Sequence, residues 1–160
     1  MTSKEFKTVA DVMTRKIVTV TEQDALANLE TTMDRLRFRH LPVVDDRGAL
    51  VGLLSHRDLL HASSSFLSDK EAERNAIIHQ LPVARVMERD VLTIHPGAPL
   101  TEAGKLLWES RIGCLPVVEA DGRLIGIVTK SDFIRIALRL LGSDVTKPDV
   151  EELAKTTASV

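Results

Sequence analysis

The sequence predicts an α/β protein built from two copies of one β-α-β-β-α unit. The first observation behind this prediction is an internal repeat, because Val9–Leu60 and Val83–Ile134 align without a gap at a constant offset of 74 positions. The second is that each copy carries two short runs rich in Val, Leu and Ile, separated by a polar turn with a glycine, which is typical of a β-hairpin. A duplication of this kind implies that a pocket on one copy has a counterpart on the other.

The elements of the two copies, repeat one and repeat two, are predicted at matching positions. A short helical turn comes first, followed by a β-rich stretch and a helix. Thr21-x-x-Asp24 has the spacing of an N-cap for this helix in repeat one, and Pro99 suits its first turn in repeat two. Two hairpin strands and a second helix, which starts at Ser55 or Thr129, complete each copy. The predicted bounds are Val9–Met13, Ile17–Val20, Asp24–Leu36, Leu41–Val44 and Leu50–Leu54 in repeat one, and Val83–Met87, Val91–Ile94, Pro99–Ser110, Leu115–Val118 and Leu124–Val128 in repeat two.

The remaining residues are assigned around these copies. We expect residues 1–68 to hold repeat one with its lead-in, 69–82 to form a helical linker opened by Ser68 as N-cap, 83–142 to hold repeat two and 143–160 to form a polar tail. The first helix of each copy has apolar residues at helical spacing, such as Met33 and Leu107. We expect these faces to be covered by the other copy or by a second chain, and Trp108 to pack in a core or a dimer contact.

Composition argues against several function classes. The net charge is −2 and aromatic residues are scarce, with four Phe, one Trp and no Tyr, which disfavours nucleic acid as a partner. No apolar run approaches the roughly 20 residues of a membrane helix, and the N-terminus has no apolar signal region, so no membrane partner is expected. The single cysteine, Cys114, fits a reducing cytoplasm and is expected to be a buried, inert thiol. Neither metal-ligand spacing nor a nucleophile motif is evident, so no metal site and no enzyme are expected.

The most informative local motif is Ser55-x-x-Asp58, which recurs as Thr129-x-x-Asp132. Its simplest role is helix capping, in which the hydroxyl and the acid satisfy backbone groups of the first turn. The alternative is ligand binding, because the motif lies at a strand-to-helix junction, where free N–H groups and the helix dipole favour an anion. Basic residues at or beside this junction, among them His56, Arg57 and Lys130, would suit phosphate, or they are merely solvated.

The ensemble of these motifs resembles the CBS domain, named for cystathionine β-synthase, over most of the chain. Two copies resemble a CBS pair, or Bateman module, an α/β module in which two CBS repeats pack about a pseudo-twofold axis. The resemblance implies that adenosine-containing ligands bind in two clefts between the copies. It further implies that Asp58 and Asp132 take the ribose hydroxyls, while Ser55 and Thr129 hold ribose or phosphate.

The resemblance also places the adenine base beside the first β-rich stretch and the Leu-Pro step of each copy. Ordinary strand packing is the alternative role for these base-lining positions. The candidate binding residues are therefore Thr19, Arg39, His40, Pro42, Ser55, His56, Arg57 and Asp58 in repeat one, and Val91, Thr93, Cys114, Pro116, Thr129, Lys130 and Asp132 in repeat two.

These features predict a regulatory, non-catalytic module that senses AMP, ADP or ATP, with or without magnesium. Arg39 and His40 of repeat one correspond to Gly113 and Cys114 of repeat two, so we expect one phosphate-rich site and one that is weaker or empty. Two alternatives stay open: a sensor of S-adenosylmethionine or another adenosyl ligand, and a ligand-free adaptor in which the motif only caps helices. A homodimer is expected by resemblance, with an unidentified protein target as a further partner.

Overall fold

A computed structural model describes residues 6–27, 29–65 and 71–143 together with Val145. Each copy has the predicted helix, two hairpin strands and second helix in the same order, but the β-rich stretch predicted before them forms only a one-residue bridge, at Val20 or Ile94, and not a strand. Short 3-10 turns at Val9–Asp11 and Val83–Arg85 begin the two copies. We call the segments that these turns open, Val9–Met13 and Val83–Met87, the lead-in turns. The helices and strands are α1 (Leu29–Arg35), β1 (His40–Val44), β2 (Leu50–Ser55), α2 (His56–Ser65), α3 (Glu71–Gln80), α4 (Leu100–Glu109), β3 (Cys114–Val118), β4 (Leu124–Thr129) and α5 (Lys130–Leu140).

The described residues divide into two units that do not follow the sequence repeats strictly. The repeat-one unit takes in residues 18–46 and 51–91, and the repeat-two unit takes in residues 6–17, 47–50 and 92–143 with Val145. The lead-in turn of each repeat therefore lies in the unit that holds the other repeat's sheet. The boundaries expected from the sequence mark where each repeat begins and ends along the chain, whereas these units group residues that pack together in space. The expected boundaries therefore stay a prediction.

The hairpins form where the polar turns predict them. Strand β1 pairs with β2, and β3 pairs antiparallel with β4, with Cys114 opposite Thr129. The β-rich stretch that follows the lead-in turn of each repeat forms one parallel bridge to the first hairpin strand, through its last residue, Val20 or Ile94. Val20 donates its N–H to Pro42 O at 3.1 Å, and Ile94 donates to Pro116 O at 3.0 Å. Each hairpin thereby gains a third extended segment beside its Leu-Pro step.

Each lead-in turn packs against a glycine of the hairpin in its unit, Gly126 or Gly52. Thr14 and Ile127 exchange backbone hydrogen bonds of 2.9 and 3.0 Å in the repeat-two unit, and Leu53 and Glu88 exchange two of 2.9 Å in the repeat-one unit. A Cβ on Gly126 would lie 2.5 Å from Met13 Sδ, and a Cβ on Gly52 would lie 2.7 Å from Met87 Sδ. The Gly-x-Leu-[Val/Ile]-Gly motif thus ends in glycine because a methionine of the lead-in turn occupies the space of a side chain.

Each unit has its own apolar core, built from equivalent residues of the two repeats. The repeat-one core includes Met33, Leu41 and Leu54, and the repeat-two core includes Leu107 and Leu115, all nearly or fully inaccessible to solvent. The apolar faces of α1 and α4 are therefore covered within their own units. The core around Met33 includes Val83 and Met87 of repeat two, and the core around Leu107 includes Val9 and Met13 of repeat one. The expected burial against the other copy is therefore present in both units, whereas burial against a second chain stays a prediction.

Other sequence expectations need correction as well. Helix α1 begins at Leu29 rather than Asp24, because the backbone before it is engaged elsewhere: Asp24 O accepts the N–H of Val83 at 2.8 Å. The Thr21-x-x-Asp24 pair does not cap α1: the Asp24 carboxylate accepts the Thr21 N–H at 2.7 Å, but this contact closes a turn that lies before the helix. Trp108 is 81% exposed and takes no part in the core. Ser68, the expected N-cap of the linker helix, lies outside the described residues.

Candidate functional site

The candidate site of each unit lies at the junction between the second hairpin strand and the helix that follows. In the repeat-one unit, Asp58 Oδ2 accepts the Ser55 N–H at 2.8 Å and the Ser55 hydroxyl at 2.6 Å. In the repeat-two unit, Asp132 Oδ2 accepts the Thr129 N–H at 2.8 Å and the Thr129 hydroxyl at 3.0 Å. Capping is therefore present in both repeats, and it occupies one oxygen of each carboxylate. Whether the site also binds a ligand depends on the other oxygen.

That second oxygen differs between the two units. Asp58 is part-exposed, and its Oδ1 has no hydrogen-bond or ion-pair partner among the described residues. Asp132 is 0% exposed, and its Oδ1 lies 3.1 Å from a guanidinium nitrogen of Arg135. A carboxylate oxygen that faces solvent can accept a hydroxyl hydrogen bond, whereas a buried, ion-paired one is already satisfied. The structure thus leaves Asp58 accessible and Asp132 enclosed.

Three charged or polar side chains of the repeat-one unit, Asp34, Arg39 and His56, come together at the start of α2. Arg39 donates from a guanidinium nitrogen to His56 Nδ1 at 3.2 Å, and the His56 backbone N–H donates to Arg39 O at 3.0 Å. Asp34 Oδ1 lies 3.8 Å from Arg39 and 3.2 Å from His56 Nε2. These contacts hold the Arg39 side chain near the start of α2. Because the side chain remains 66% exposed, it is also accessible to a ligand.

The ring of His56 shows an unusual feature within this cluster. Its Nε2 is buried and makes no hydrogen bond among the described residues, although Asp34 Oδ1 is 3.2 Å away. The distance allows a hydrogen bond but the alignment does not. Since an arginine only donates, His56 Nδ1 accepts from Arg39, and the ring proton then belongs on Nε2. Two contacts with Arg39 therefore fix the position of His56: the guanidinium donates to ring Nδ1, and the Arg39 carbonyl accepts the backbone N–H of His56.

Equivalent positions of the two repeats hold His40 and Cys114. Burial lowers the pKa of His40 below its ordinary value, and the negative charge of Asp58 partly opposes this effect. Burial raises the pKa of the Cys114 thiol to about 12. The prediction that Cys114 is buried is confirmed, and the raised pKa of its thiol agrees with the expected lack of reactivity. At this position burial disfavours the charged form in both units, and only the repeat-one unit has an imidazole ring close enough to its acid to feel the acid's charge.

The structure distributes the remaining predicted residues unevenly. Thr19, Arg57, Thr93 and Lys130 are exposed, and Val91 is half-buried. Pro42 and Pro116 are fully buried, and their carbonyls accept the bridging N–H groups described above. That arrangement is the packing role considered as the alternative for the two prolines. Roles for all of these residues in reading a base or a phosphate stay predictions.

Sequence reasoning missed two residues of the site. Asp34 lies within 4 Å of both Arg39 and His56, and it stands 22 residues before His56 in the chain, so no local spacing reveals it. Arg135 follows Asp132 at a spacing of three residues, which is a contact distance on a helix and was visible in the sequence. Its importance could not be read there, because the burial of Asp132 depends on tertiary packing.

Neither a metal-binding cluster nor a membrane-spanning helix occurs among the described residues. Within these residues, no group of three or more His, Cys, Asp or Glu side chains is arranged to hold a metal ion. None of the helices over the same part of the chain combines the length and apolar character needed to cross a bilayer.

Comparison with protein families decides what this scaffold is. The family model of the CBS domain matches residues 9–65 and again residues 83–139, which together make up more than half of the chain. The chain belongs to the CBS domain family. The two matches start at the two lead-in turns and carry the same elements in the same order, so the resemblance and the pair of CBS repeats are both confirmed.

CBS proteins of similar length are among the relatives. The chain is 33% identical over 141 residues to a CBS domain-containing protein from Dictyostelium discoideum, covering 83% of this chain and 92% of that protein. The structure of CBSX2 in complex with AMP matches with 30% identity and a TM-score of 0.71, over 84% of this chain and 98% of that one. The CBS domain pair of protein MJ0100, in complex with 5-methylthioadenosine and S-adenosyl-L-methionine, matches with 25% identity and a TM-score of 0.68, over 81% and 98%.

Other relatives are much longer than this chain. The chain is 35% identical over 128 residues to a homoserine O-acetyltransferase from Methanococcoides burtonii, but it covers only 24% of that protein's length. CBS pairs therefore occur both as most of a protein and as a minor part of an enzyme.

Proposed function

We propose that this chain is a non-catalytic regulatory module that binds an adenine nucleotide through its repeat-one unit. The observation that carries the proposal is the part-exposed carboxylate of Asp58, with Oδ1 unpaired among the described residues, in the first turn of α2. The first residue of that turn, His56, accepts a hydrogen bond from the exposed guanidinium of Arg39. A carboxylate accepts hydrogen bonds from the two hydroxyls of a ribose, and a guanidinium pairs with phosphate. One unit thus offers partners for both polar ends of a nucleotide.

The surroundings of Asp58 favour a phosphate-bearing ligand. Arg39 is oriented by His56, and the N-terminus of α2 adds the positive end of a helix dipole. A guanidinium already held in place loses less side-chain freedom when an anion binds. AMP, ADP and ATP each combine the ribose and phosphate that this set of residues suits, and no metal ion is needed for the contacts proposed here.

The comparisons support an adenosine-containing ligand without naming which one. One relative is described in complex with AMP, and another in complex with 5-methylthioadenosine and S-adenosylmethionine. S-adenosylmethionine is therefore the second candidate. It would use Asp58 but has no phosphate for Arg39, and that difference makes AMP, ADP or ATP the preferred class.

A regulatory role requires that the ligand prefer one state of the protein over another. We propose a homodimer in the cytoplasm as the regulated species, acting on a protein target of unknown identity. Trp108 is 81% exposed on α4, and Ile134 and Leu140 on α5 are 60% and 79% exposed, which supports contact with a second copy. Sedimentation of Trp108→Glu tests this part: a shift from dimer to monomer supports it, and an unchanged mass contradicts it.

The ligand class is tested by thermal shift of the full chain with AMP, ADP, ATP, NAD and S-adenosylmethionine. Binding to the folded state raises the melting temperature by mass action, so AMP, ADP or ATP should give the largest shift. Asp58→Ala should abolish the shift, while Asp46→Ala, which removes an exposed carboxylate of the same unit, should retain it. The ligand-induced shift is compared within each variant because Asp58→Ala also removes a helix cap. If no adenosyl compound stabilises the wild type, the ligand-free adaptor becomes the better account.

A further inference from the structure

The acid of the second predicted ribose position is paired with a side chain of the protein itself. Asp132 is 0% exposed, with Oδ2 engaged by Thr129 and Oδ1 at 3.1 Å from Arg135. The side chain of Arg135 is only 19% exposed, so its positive charge is directed at the carboxylate rather than at solvent. The guanidinium N–H groups of Arg135 therefore take the place beside the Asp132 carboxylate where the hydroxyl donors of a ribose would otherwise lie.

The first repeat lacks this arrangement. His61 stands at the position equivalent to Arg135, one helical turn after Asp58. A histidine is shorter and does not carry a bidentate guanidinium, and Asp58 remains part-exposed with Oδ1 unpaired among the described residues. The repeat with an arginine at this position has the enclosed carboxylate, and the repeat with a histidine has the accessible one.

We infer that Arg135 closes the Asp132 site, so that the chain binds one adenine nucleotide and not two. The inference rests on the proposed function, in which Asp58 takes the ribose of the bound nucleotide. A nucleotide at Asp132 must displace Arg135 and leave a largely buried guanidinium without its acid, which weakens binding there. Arg135 thereby determines how many ligands the module binds, without touching the ligand at the open site.

Isothermal titration of the full chain with AMP tests this inference through its stoichiometry. The wild type should bind one AMP per chain. Arg135→His, which introduces the residue of repeat one, and Arg135→Ala should each bind two, with the affinity of the first site unchanged. Arg135→Ala combined with Asp132→Ala should return to one, because the opened site has lost its ribose acid. Arg139→Ala, a substitution further along the same helix, should remain at one.

The reciprocal substitution keeps the inference testable if the Arg135 variants do not fold. His61→Arg places a guanidinium one turn after Asp58 and should weaken AMP binding at least tenfold. Two equal AMP sites in the wild type, or one site in a folded Arg135→Ala, would overturn the inference and leave the proposed function intact. AMP binding only after Arg135→Ala would overturn the proposed role of Asp58 and support the inference. Binding by neither protein would overturn both.

Discussion

The two units share a scaffold and differ at the positions that carry charge. In both, a methionine of a lead-in turn packs against the last glycine of the hairpin motif, and a Ser or Thr hydroxyl caps the helix through an acid three residues later. Even a strained backbone recurs: Arg37 and Arg111, 74 positions apart, have φ angles of 55° and 56°. Yet Arg39, His40 and His61 are replaced by Gly113, Cys114 and Arg135. The duplication thus preserved the Ser/Thr-x-x-Asp geometry twice and left its carboxylate accessible once.

The largest expected effect tests whether the two cores are equivalent. Leu41 and Leu115 are 1% and 0% exposed, and each lies at the second residue of the first hairpin strand of its unit. Truncating either to alanine should lower the free energy of unfolding by about 2–5 kcal/mol, from lost transfer energy and the cavity left behind. Urea denaturation measures both. A cost for one variant several times that for the other would show that the cores are not equivalent.

The next effect concerns the carboxylate that only one unit exposes. Asp58→Asn keeps the shape of the side chain but removes the charge that would accept two ribose hydroxyls. Since hydrogen bonds to charged groups contribute about 1.5–3 kcal/mol, AMP affinity should fall roughly 10- to 100-fold. Titration calorimetry measures the change, with Asp46→Asn as the matched control. An affinity within twofold of the wild type would remove Asp58 from the site.

A smaller effect should appear at the glycines that face the two methionines. A Cβ at Gly52 would lie 3.0 Å from Glu88 O, and a Cβ at Gly126 would lie 3.3 Å from Thr14 O. Alanine at either position should destabilise by about 1–3 kcal/mol through overpacking. Gly52→Ala should cost more, because a backbone oxygen cannot rotate away as a methionine sulfur can. The opposite order in chemical denaturation would contradict the described contacts.

The smallest effects are expected at the two ends of the pH range. His40 has a folded pKa below its ordinary 6.5, so its contribution is complete above that pH and is lost as the pH falls towards the folded pKa. Cys114 has a folded pKa near 12 against an ordinary 9.0, so its contribution is complete below pH 9 and is lost between about pH 9 and 12. His40→Gln should flatten the acid side of the stability profile and Cys114→Ala the alkaline side. If each variant keeps the wild-type slope, burial at this position has been misjudged.

Much of the fold was predictable because its signals are local. Hairpin turns, Pro99 before α4 and the Ser/Thr-x-x-Asp caps lie within a few residues of the elements that they define. The start of α1 was not predictable, since it depends on the hydrogen bond between Asp24 and Val83, which are 59 residues apart. For the same reason the sequence identified Asp58 and Asp132 as equals. Their difference in access arises from tertiary burial, which the repeat pattern does not contain.

The central claim, that one unit alone holds an open nucleotide site, is tested most directly by amide NMR during titration with AMP. The account predicts saturable shifts at Ser55, His56 and Asp58, whose amides lie around the exposed carboxylate and the start of α2. The equivalent amides of Thr129, Lys130 and Asp132 should remain in place when the first set is saturated. Equal shifts in both sets at the same AMP concentration, or shifts confined to the second set, would contradict it.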